Sequence, residues 1–145
     1  MRNMSFSKTI QAFKEERKDV TRRLGWKYLK PGDHFMAVER GQGLKKGEKV
    51  VRMGECICIS NDDEPLNGII ISPIRGYSAG PGILYVEPEV VREGFPGLTP
   101  EGFVEMFCKL NKCTPETPVQ RIEFRRIKSC GERGGGKLCG RPFDL

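Results

Sequence analysis

The sequence predicts an α+β fold built around a small, curled, mostly antiparallel β-sheet that approaches a barrel, with short flanking helices. Short runs of β-branched and other apolar residues are separated by turns rich in glycine and proline. The predicted order is one helix, several strands, two short helices and a final strand, which differs from the regular alternation of a parallel α/β protein. No internal repeat with a period of about 20–50 residues is visible.

Length and composition fit one domain with a sizeable core. The chain has 145 residues, of which 37% are hydrophobic and 30% charged. Lysine and arginine number 25 against 19 acidic residues, giving a formal net charge of +6. This balance favours partners that carry phosphate groups.

The amino-terminal stretch MRNMSFSKTIQAFK lacks the apolar segment of a secretory signal. The longest apolar run, residues 69–71, is too short to span a bilayer. We therefore expect a monomeric cytoplasmic protein with no membrane partner. In that reducing compartment its 6 cysteines are expected to be free thiols.

A short helix and a short strand are predicted first. Ser7 or Thr9 can cap a helix that runs to about Arg17, and residues 20–24 form a strand or extended segment. The stretch LKPGD then signals a turn, because proline suits its second position and Gly32 supplies a positive φ. Strands are predicted after it at residues 35–38 and 50–59.

Residues 61–86 contain closely spaced prolines and glycines, and we expect a long, partly ordered insertion there. A short helix follows, with Pro88 as its first residue and Gly94 ending it. A second helix begins at TPEGF, where Thr99 is the N-cap and Pro100 the first helical residue.

A closing strand is predicted at residues 119–127, which completes a domain spanning residues 1–127. Residues 128–145 form a glycine-rich basic tail that we expect to be flexible. The tail segment GERGGGK has the composition of a phosphate loop, but a leucine follows its lysine where a P-loop has serine or threonine. The tail is either an inert end or a segment that touches a nucleic-acid backbone.

The segment RKDVTRRLG, residues 17–25, concentrates basic charge around a threonine. Arg17, Lys18, Arg22 and Arg23 supply four cations within nine residues. From its pattern alone, the segment fits either a solvated surface or the lining of a pocket for an anionic or hydrogen-bond-rich ligand.

The order of four motifs resembles the ASCH family, which belongs to the PUA-like superfamily of small β-barrels associated with RNA. The motifs are RKDVTRR after the leading helix, KPGD before a strand, REGF ahead of the second long helix and RIEF in the last strand. The resemblance covers residues 4–127. It implies a PUA-like barrel and a basic cleft, floored by the RKDVTRR segment, that binds RNA or a nucleoside.

Some ASCH proteins are amidohydrolases that remove the acyl group from N4-acetylcytidine, using a lysine, a threonine three residues later and a distant glutamate. Lys18, Thr21 and Glu93 match these positions, and the resemblance implies that they are catalytic. Other members have been linked to RNA cleavage, and many have no assigned activity.

These residue types suit amide hydrolysis. The Thr21 hydroxyl is a nucleophile only when a base takes its proton, and Lys18 can do so only when neutral. Neighbouring arginines favour neutral Lys18 by lowering its pKa, whereas Glu93 stabilises the ammonium or passes a proton to the leaving nitrogen. Arg22 or Arg23 can hold a phosphate or stabilise an oxyanion.

The aromatic residues Trp26 and Tyr28 follow the basic segment and either stack on a base or belong to the core. The predicted ligand-binding residues are Arg17, Arg22, Arg23, Trp26 and Tyr28.

No metal site or cofactor is predicted. Cys56 and Cys58 share one face of a strand, and Cys108 and Cys113 flank a helix end, but the chain contains no C-x-x-C pair. Cys130 and Cys139 only faintly resemble the turns of a zinc ribbon, and His34 is the single histidine.

Three functions remain open from the sequence. The first is RNA or nucleoside binding in a basic cleft. The second is hydrolysis of an N4-acylated cytidine or a related amide in the same cleft. The third is a protein-interaction adaptor that uses the 61–86 insertion and the tail.

Overall fold

The computed structural model describes residues 1–41, 44–80 and 83–127, with the backbone alone for residues 76–80 and 83–86. The seven strands are β1 (Arg2–Ser5), β2 (Val20–Arg23), β3 (His34–Val38), β4 (Arg52–Pro65), β5 (Ile74–Gly80), β6 (Ile83–Pro88) and β7 (Pro118–Arg126). The four helices are α1 (Ile10–Lys14), α2 (Gly68–Ile71), α3 (Glu89–Arg92) and α4 (Pro100–Asn111). The predicted α+β class is confirmed.

The main sheet has five strands in the order β1-β3-β4-β7-β2 and curls into a half-barrel. All its pairings are antiparallel except that of β1 with β3. Register shifts occur next to Ala37 in β3 and between Cys58 and Ser60 in β4, and such bulges bend a sheet. β1 and β2 are the edge strands, and β1 was not predicted.

The region predicted as an insertion has more regular structure than expected. Residues 61–65 continue β4, where Asn61 pairs with Ile122 and Pro65 with Pro118. Helix α2 follows, and β5 and β6 then form a separate antiparallel hairpin. The tail predicted at residues 128–145 lies outside the described residues.

Two apolar clusters flank the sheet. One cluster joins β1, α1, β3, β4 and β7, and its Phe6 ring lies 5.4 Å from that of Phe13 and 5.5 Å from that of Phe124. The second cluster packs α2, α3 and α4 against the start of β7 through Leu66, Ile69, Val90, Phe103, Val104, Phe107 and Val119. Burial of these side chains is the main force that holds the helices on the sheet.

Helix α1 is shorter than predicted, because it ends at Lys14 rather than near Arg17. Glu16 has a φ of 61°, a left-handed conformation that stops the helix and turns the chain toward β2. Thr9 is at the N-cap position, but its side chain makes no capping hydrogen bond.

The predicted start of α4 is confirmed. Thr99 is the N-cap, its hydroxyl accepts the Gly102 N–H at 3.0 Å, and Pro100 begins the helix. In α3, Pro88 is the N-cap rather than the first helical residue. Among the residues that the structure describes, no helix is long and apolar enough to cross a membrane.

Candidate functional site

A cavity of about 440 Å³ opens between β2, the segment after β1, the end of α3 and one face of α4. Its polar side is formed by Lys18, Thr21, Arg22, Arg23 and Glu93. Its apolar side is formed by Phe6, Trp26, Phe95, Phe103, Met106, Phe107 and Leu110. The RKDVTRR segment therefore lines a pocket through four of its residues.

Backbone hydrogen bonds on both sides of Asp19 fix this segment. The Asp19 N–H donates to the carbonyl of Arg92 at 3.0 Å, and its carbonyl accepts the Phe124 N–H at 3.0 Å. β2 then pairs with β7, with Thr21 opposite Ile122. The segment is thus held between α3 and β7, which brings it beside Glu93.

Lys18 is buried, with 6% of its surface exposed. Its ammonium donates to the carbonyl oxygens of Val20 at 2.9 Å and Glu93 at 2.6 Å, and to Glu93 Oε1 at 3.4 Å. Burial lowers the pKa of Lys18 to about 8, because the neighbouring Glu93 carboxylate offsets only part of the desolvation cost. A minor fraction of Lys18 is therefore neutral at neutral pH.

The Glu93 carboxylate lies between two cations. Its Oε1 faces Lys18, and its Oε2 accepts from Arg22 Nη1 at 2.9 Å. Glu93 is the C-cap of α3, and Gly94 follows with a φ of 97°, which glycine adopts without strain. The helix end and both cations fix the position of this acid.

The Thr21 hydroxyl is also buried, and it accepts a hydrogen bond from Arg23 Nε at 3.0 Å. Among the described residues this hydroxyl has no other side-chain partner, so its proton is available to a base or a ligand. Arg23 Nη2 donates to the Ser5 carbonyl across the open edge of the half-barrel. Within the described part of the chain, no carboxylate forms an ion pair with Arg23.

Arg22 is bound on every side by carboxylates. Its Nε donates to Glu64 at 3.0 Å, its Nη2 to Glu89 at 2.8 Å and its Nη1 to Glu93. Burial alone would lower the pKa of Arg22, but these carboxylates raise it. Arg22 thus positions Glu93, and each of its three nitrogens already donates to a carboxylate.

A buried ion-pair network supports this side of the cavity. Glu89 is fully buried and accepts two hydrogen bonds from Arg121, at 2.9 and 3.0 Å. Arg92 donates to both carboxylate oxygens of Asp19 and lies 3.0 Å from Glu123. This network was not predicted from the sequence. Its signal is the i, i+3, i+4 spacing of Glu89, Arg92 and Glu93, which indicates one charged helix face.

Six of the eight predicted site residues line the cavity, namely Lys18, Thr21, Arg22, Arg23, Trp26 and Glu93. Arg17 does not, because it is exposed and pairs with Glu15 at 2.6 Å. Tyr28 lines a separate, neighbouring cavity. The aromatic residues of α4 were not predicted as part of the site. The apolar stripe in the α4 sequence is the signal that could have indicated them.

Cys56 and Cys58 are buried and do not line the cavity. Burial raises the pKa of Cys56 to about 12 and that of Cys58 to about 11, so both are thiols at neutral pH. His34 is exposed, with its Nδ1 2.5 Å from Glu55 Oε2. Among the described residues, no group of three potential ligands could hold a metal ion, and Cys130 and Cys139 lie outside them.

No family model, curated protein or solved structure matches this chain. Membership of the ASCH family, and the roles that it implies for Lys18, Thr21 and Glu93, therefore stay predictions.

Proposed function

We propose that this chain is a PUA-like ASCH domain that binds a nucleoside or one nucleotide of an RNA in the cavity beside β2. One observation carries the proposal: the Lys18–Glu93 pair, the Thr21 hydroxyl and the Arg23 guanidinium line one cavity that five aromatic residues also line. Such a combination of apolar walls with a few placed polar groups is typical of small-molecule sites.

The size and wall of the cavity suit a nucleobase. Its volume of about 440 Å³ lies within the usual range for small-molecule pockets. Phe95 and Phe103 pack with ring centroids 5.8 Å apart, and Phe107 continues the row at 6.1 Å from Phe103. Phe103 and Phe107 are almost fully buried, so the partly exposed Phe95 is the ring of this row that can stack on a base.

The polar side of the cavity supplies hydrogen-bond donors and acceptors for a base edge and a cation for a phosphate. The Thr21 hydroxyl can donate and the Glu93 carboxylate can accept, so both kinds of base-edge group can be matched, whereas the three Lys18 N–H bonds already go to Val20 and Glu93. Arg23 is a partly buried cation of the cavity that has no carboxylate pair among the described residues, and it suits a phosphate or carbonyl oxygen.

The test is calorimetric titration with cytidine 5′-monophosphate. Because each substitution removes a hydrogen bond to the ligand, Thr21→Val and Arg23→Met should each weaken binding by roughly tenfold. Arg40→Met is the matched control, since Arg40 is exposed, pairs with Glu48 and does not line this cavity.

Equal losses in Arg23→Met and Arg40→Met would show a general charge effect and contradict the proposal, as would absence of binding by the unmodified protein. Affinity for a short RNA should also fall steeply as salt rises, because phosphate contacts release counterions.

A second candidate function is hydrolysis of an N4-acylated cytidine, favoured by the lowered pKa of Lys18, which pairs with Glu93 and lines the same cavity as Thr21. Neutral Lys18 would take the Thr21 proton while the hydroxyl oxygen attacks the acyl carbon. The C–N bond would then break as the amine nitrogen receives the proton held by Lys18, either directly or passed on through Glu93. Water would hydrolyse the threonine ester, releasing the carboxylic acid and restoring the hydroxyl.

Chromatography of N4-acetylcytidine incubated with the protein tests this candidate. Thr21→Val and Lys18→Met should abolish release of cytidine, whereas Thr21→Ser should retain part of it because a hydroxyl remains. If the unmodified protein binds cytidine but releases none from the acetylated substrate, the hydrolase is eliminated and the binding function stands.

A further inference from the structure

A second cavity of about 260 Å³ adjoins the first. It is lined by Met1, Arg2, Trp26, Tyr28, Leu29, Asp33 and His34. Trp26 is the residue that the two cavities share, so its indole ring forms part of the wall between them. A ligand that fills the first cavity and continues beyond it in this direction passes over Trp26.

We propose that the second cavity is a stacking subsite for the nucleotide next to the one held in the first cavity. The natural ligand is then single-stranded RNA of at least two nucleotides rather than a free nucleoside. This inference rests on the proposed nucleotide-binding function and extends it to a specific ligand class.

Two aromatic rings form the base platform of this subsite. The Trp26 and Tyr28 ring centroids lie 5.5 Å apart, with 31° between the ring planes. Tyr28 is 47% exposed, which leaves much of its ring open to a ligand. Trp26 packs edge-on against the buried ring of Phe35 at 6.3 Å, so its position is fixed by the core. Exposed rings of this kind are the usual stacking surface for unpaired bases.

Arg2 supplies a cation at the platform. Its guanidinium carbon lies 4.6 Å from the Tyr28 ring centroid and 5.6 Å from that of Trp26. Within the described part of the chain, Arg2 has no carboxylate partner. Its backbone is fixed by the pairing of β1 with β3, where Arg2 lies opposite Phe35. A guanidinium that stacks on rings keeps its N–H edge free for a phosphate oxygen.

Two acids near the platform, Asp33 and Glu55, already have partners within the protein. An Asp33 carboxylate oxygen accepts the Lys30 backbone N–H at 2.9 Å, and Glu55 lies against His34. Lys27 and Lys30 are exposed on the same loop. Arg2, Lys27 and Lys30 outnumber these two acids, so the local charge favours a polyanion.

The loop that carries the platform is held in a strained conformation. Trp26 has a φ of 37°, which is rare for a bulky side chain, and Gly25 before it has a φ of 88°. The Asn61 amide donates to the carbonyls of Trp26 at 2.9 Å and Leu29 at 2.7 Å, and Gln120 donates to Asn61 Oδ1 at 2.8 Å. Strained backbone that is fixed by surrounding bonds is concentrated at binding sites.

The experiment compares cytidine 5′-monophosphate with a short oligocytidylate, using calorimetry for affinity and fluorescence for stacking. Trp26 is the single tryptophan of the chain and lines both cavities, so quenching by the oligonucleotide beyond that caused by the mononucleotide reports on a base at the platform. The oligonucleotide should bind more tightly than the mononucleotide by on the order of tenfold, the usual effect of one stacked base.

Three variants test whether the tighter binding of the oligonucleotide comes from the platform. Tyr28→Ala and Arg2→Ala should each reduce the oligonucleotide affinity toward that of the mononucleotide, whereas Tyr28→Phe should keep the gain because the ring remains. Arg40→Ala removes one exposed arginine that lines neither cavity and should keep the gain as well.

Two failures are distinguishable. If the mononucleotide binds but chain length adds nothing, or if Tyr28→Ala keeps the full gain, the subsite is overturned and the nucleotide site stands. If neither the mononucleotide nor the oligonucleotide binds, the proposed function fails and the subsite fails with it.

Discussion

The side-chain nitrogen of Lys18 lies 2.6 Å from the backbone carbonyl oxygen of Glu93 and 3.4 Å from its carboxylate, although 75 positions separate the two residues. This contact joins the start of β2 to the end of α3 and closes the polar side of the cavity. It also places a buried amine with a lowered pKa beside an acid, in the cavity that Thr21 lines.

Because of Lys18, the free energy of unfolding should depend on pH in the alkaline range. Burial lowers its pKa from 10.5 to about 8, so between these values the unfolded chain holds a proton that the folded protein has released. The Lys18 contribution to the free energy of unfolding should therefore rise with pH in that window, by up to about 1.4 kcal/mol per pH unit. Below pH 8 the lysine is charged in both states, and its contribution is flat.

Urea denaturation of the unmodified protein and Lys18→Met at pH 7 and pH 9 checks this prediction. Methionine does not titrate, so the unmodified protein should gain stability relative to the variant as pH rises. A constant difference between the two proteins would contradict the lowered pKa.

Glu89 should stabilise the fold above acidic pH. Burial raises its pKa, but hydrogen bonds from Arg121 and Arg22 outweigh this effect and lower the pKa to about 2. Glu89→Gln leaves buried arginines without their carboxylate and should cost about 3–5 kcal/mol at pH 7. The deficit should shrink as pH falls from 4.5 toward 2, because the stabilisation by the carboxylate is lost over that range.

Denaturant midpoints at pH 7 and pH 3 measure the Glu89 effect. Glu105→Gln is the control, since Glu105 is exposed on α4 and its loss should change stability by less than about 0.5 kcal/mol. Equal costs for the two substitutions would contradict a structural role for the buried network.

Gly94 should not tolerate a side chain. Its φ is 97°, and a Cβ placed there would lie 2.9 Å from Thr9 Cγ2 and 3.2 Å from the Ala12 Cβ. Gly94→Ala should therefore destabilise the protein by about 1–3 kcal/mol. Gly97→Ala is the control, because a Cβ at Gly97 meets no atom within 4 Å.

Thermal unfolding compares these two glycine variants. Ligand affinity should also fall in Gly94→Ala, because Thr9 lines the cavity and Glu93 directly precedes the strained position. A Gly94→Ala protein as stable as Gly97→Ala would show that this turn relaxes without cost.

Asn61 should hold the Trp26 loop in place. Asn61→Ala removes the donors to the Trp26 and Leu29 carbonyls and should cost about 1–3 kcal/mol of stability. Acrylamide quenching of the tryptophan should increase and oligocytidylate affinity should fall, because the loop loses its fixed conformation. Asn67→Ala is the control, since the Asn67 side chain makes no capping bond at α2. Unchanged quenching in Asn61→Ala would contradict this role.

Local signals predicted much of the secondary structure. The Thr99-Pro100 helix start was confirmed because capping depends on residues within one turn. The turn at Gly32 was confirmed for the same reason, with a φ of 94°. β1 was missed because its parallel pairing with β3 depends on residues more than thirty positions away. The end of α1 was missed because the left-handed Glu16 carries no distinctive sequence signal.

For the candidate site, too, some features were predicted from the sequence and others were visible only in the structure. Lys18, Thr21 and Glu93 were selected by resemblance, and their catalytic roles stay predictions. The structure brings them to one cavity, places Arg17 outside it, and gives all three nitrogens of Arg22 to carboxylates. None of these three results follows from residue spacing.

The sequence by itself determined the α+β class, the cap of α4, the turn at Gly32 and the concentration of basic residues around Thr21. These features depend on backbone preferences and side-chain types that act over a few residues. Only the tertiary structure decided which of those basic residues are exposed and which pair with acids, and where the aromatic platform lies. The physical reason is that the partner of a buried charge, and hence its pKa, depends on which distant elements pack against it.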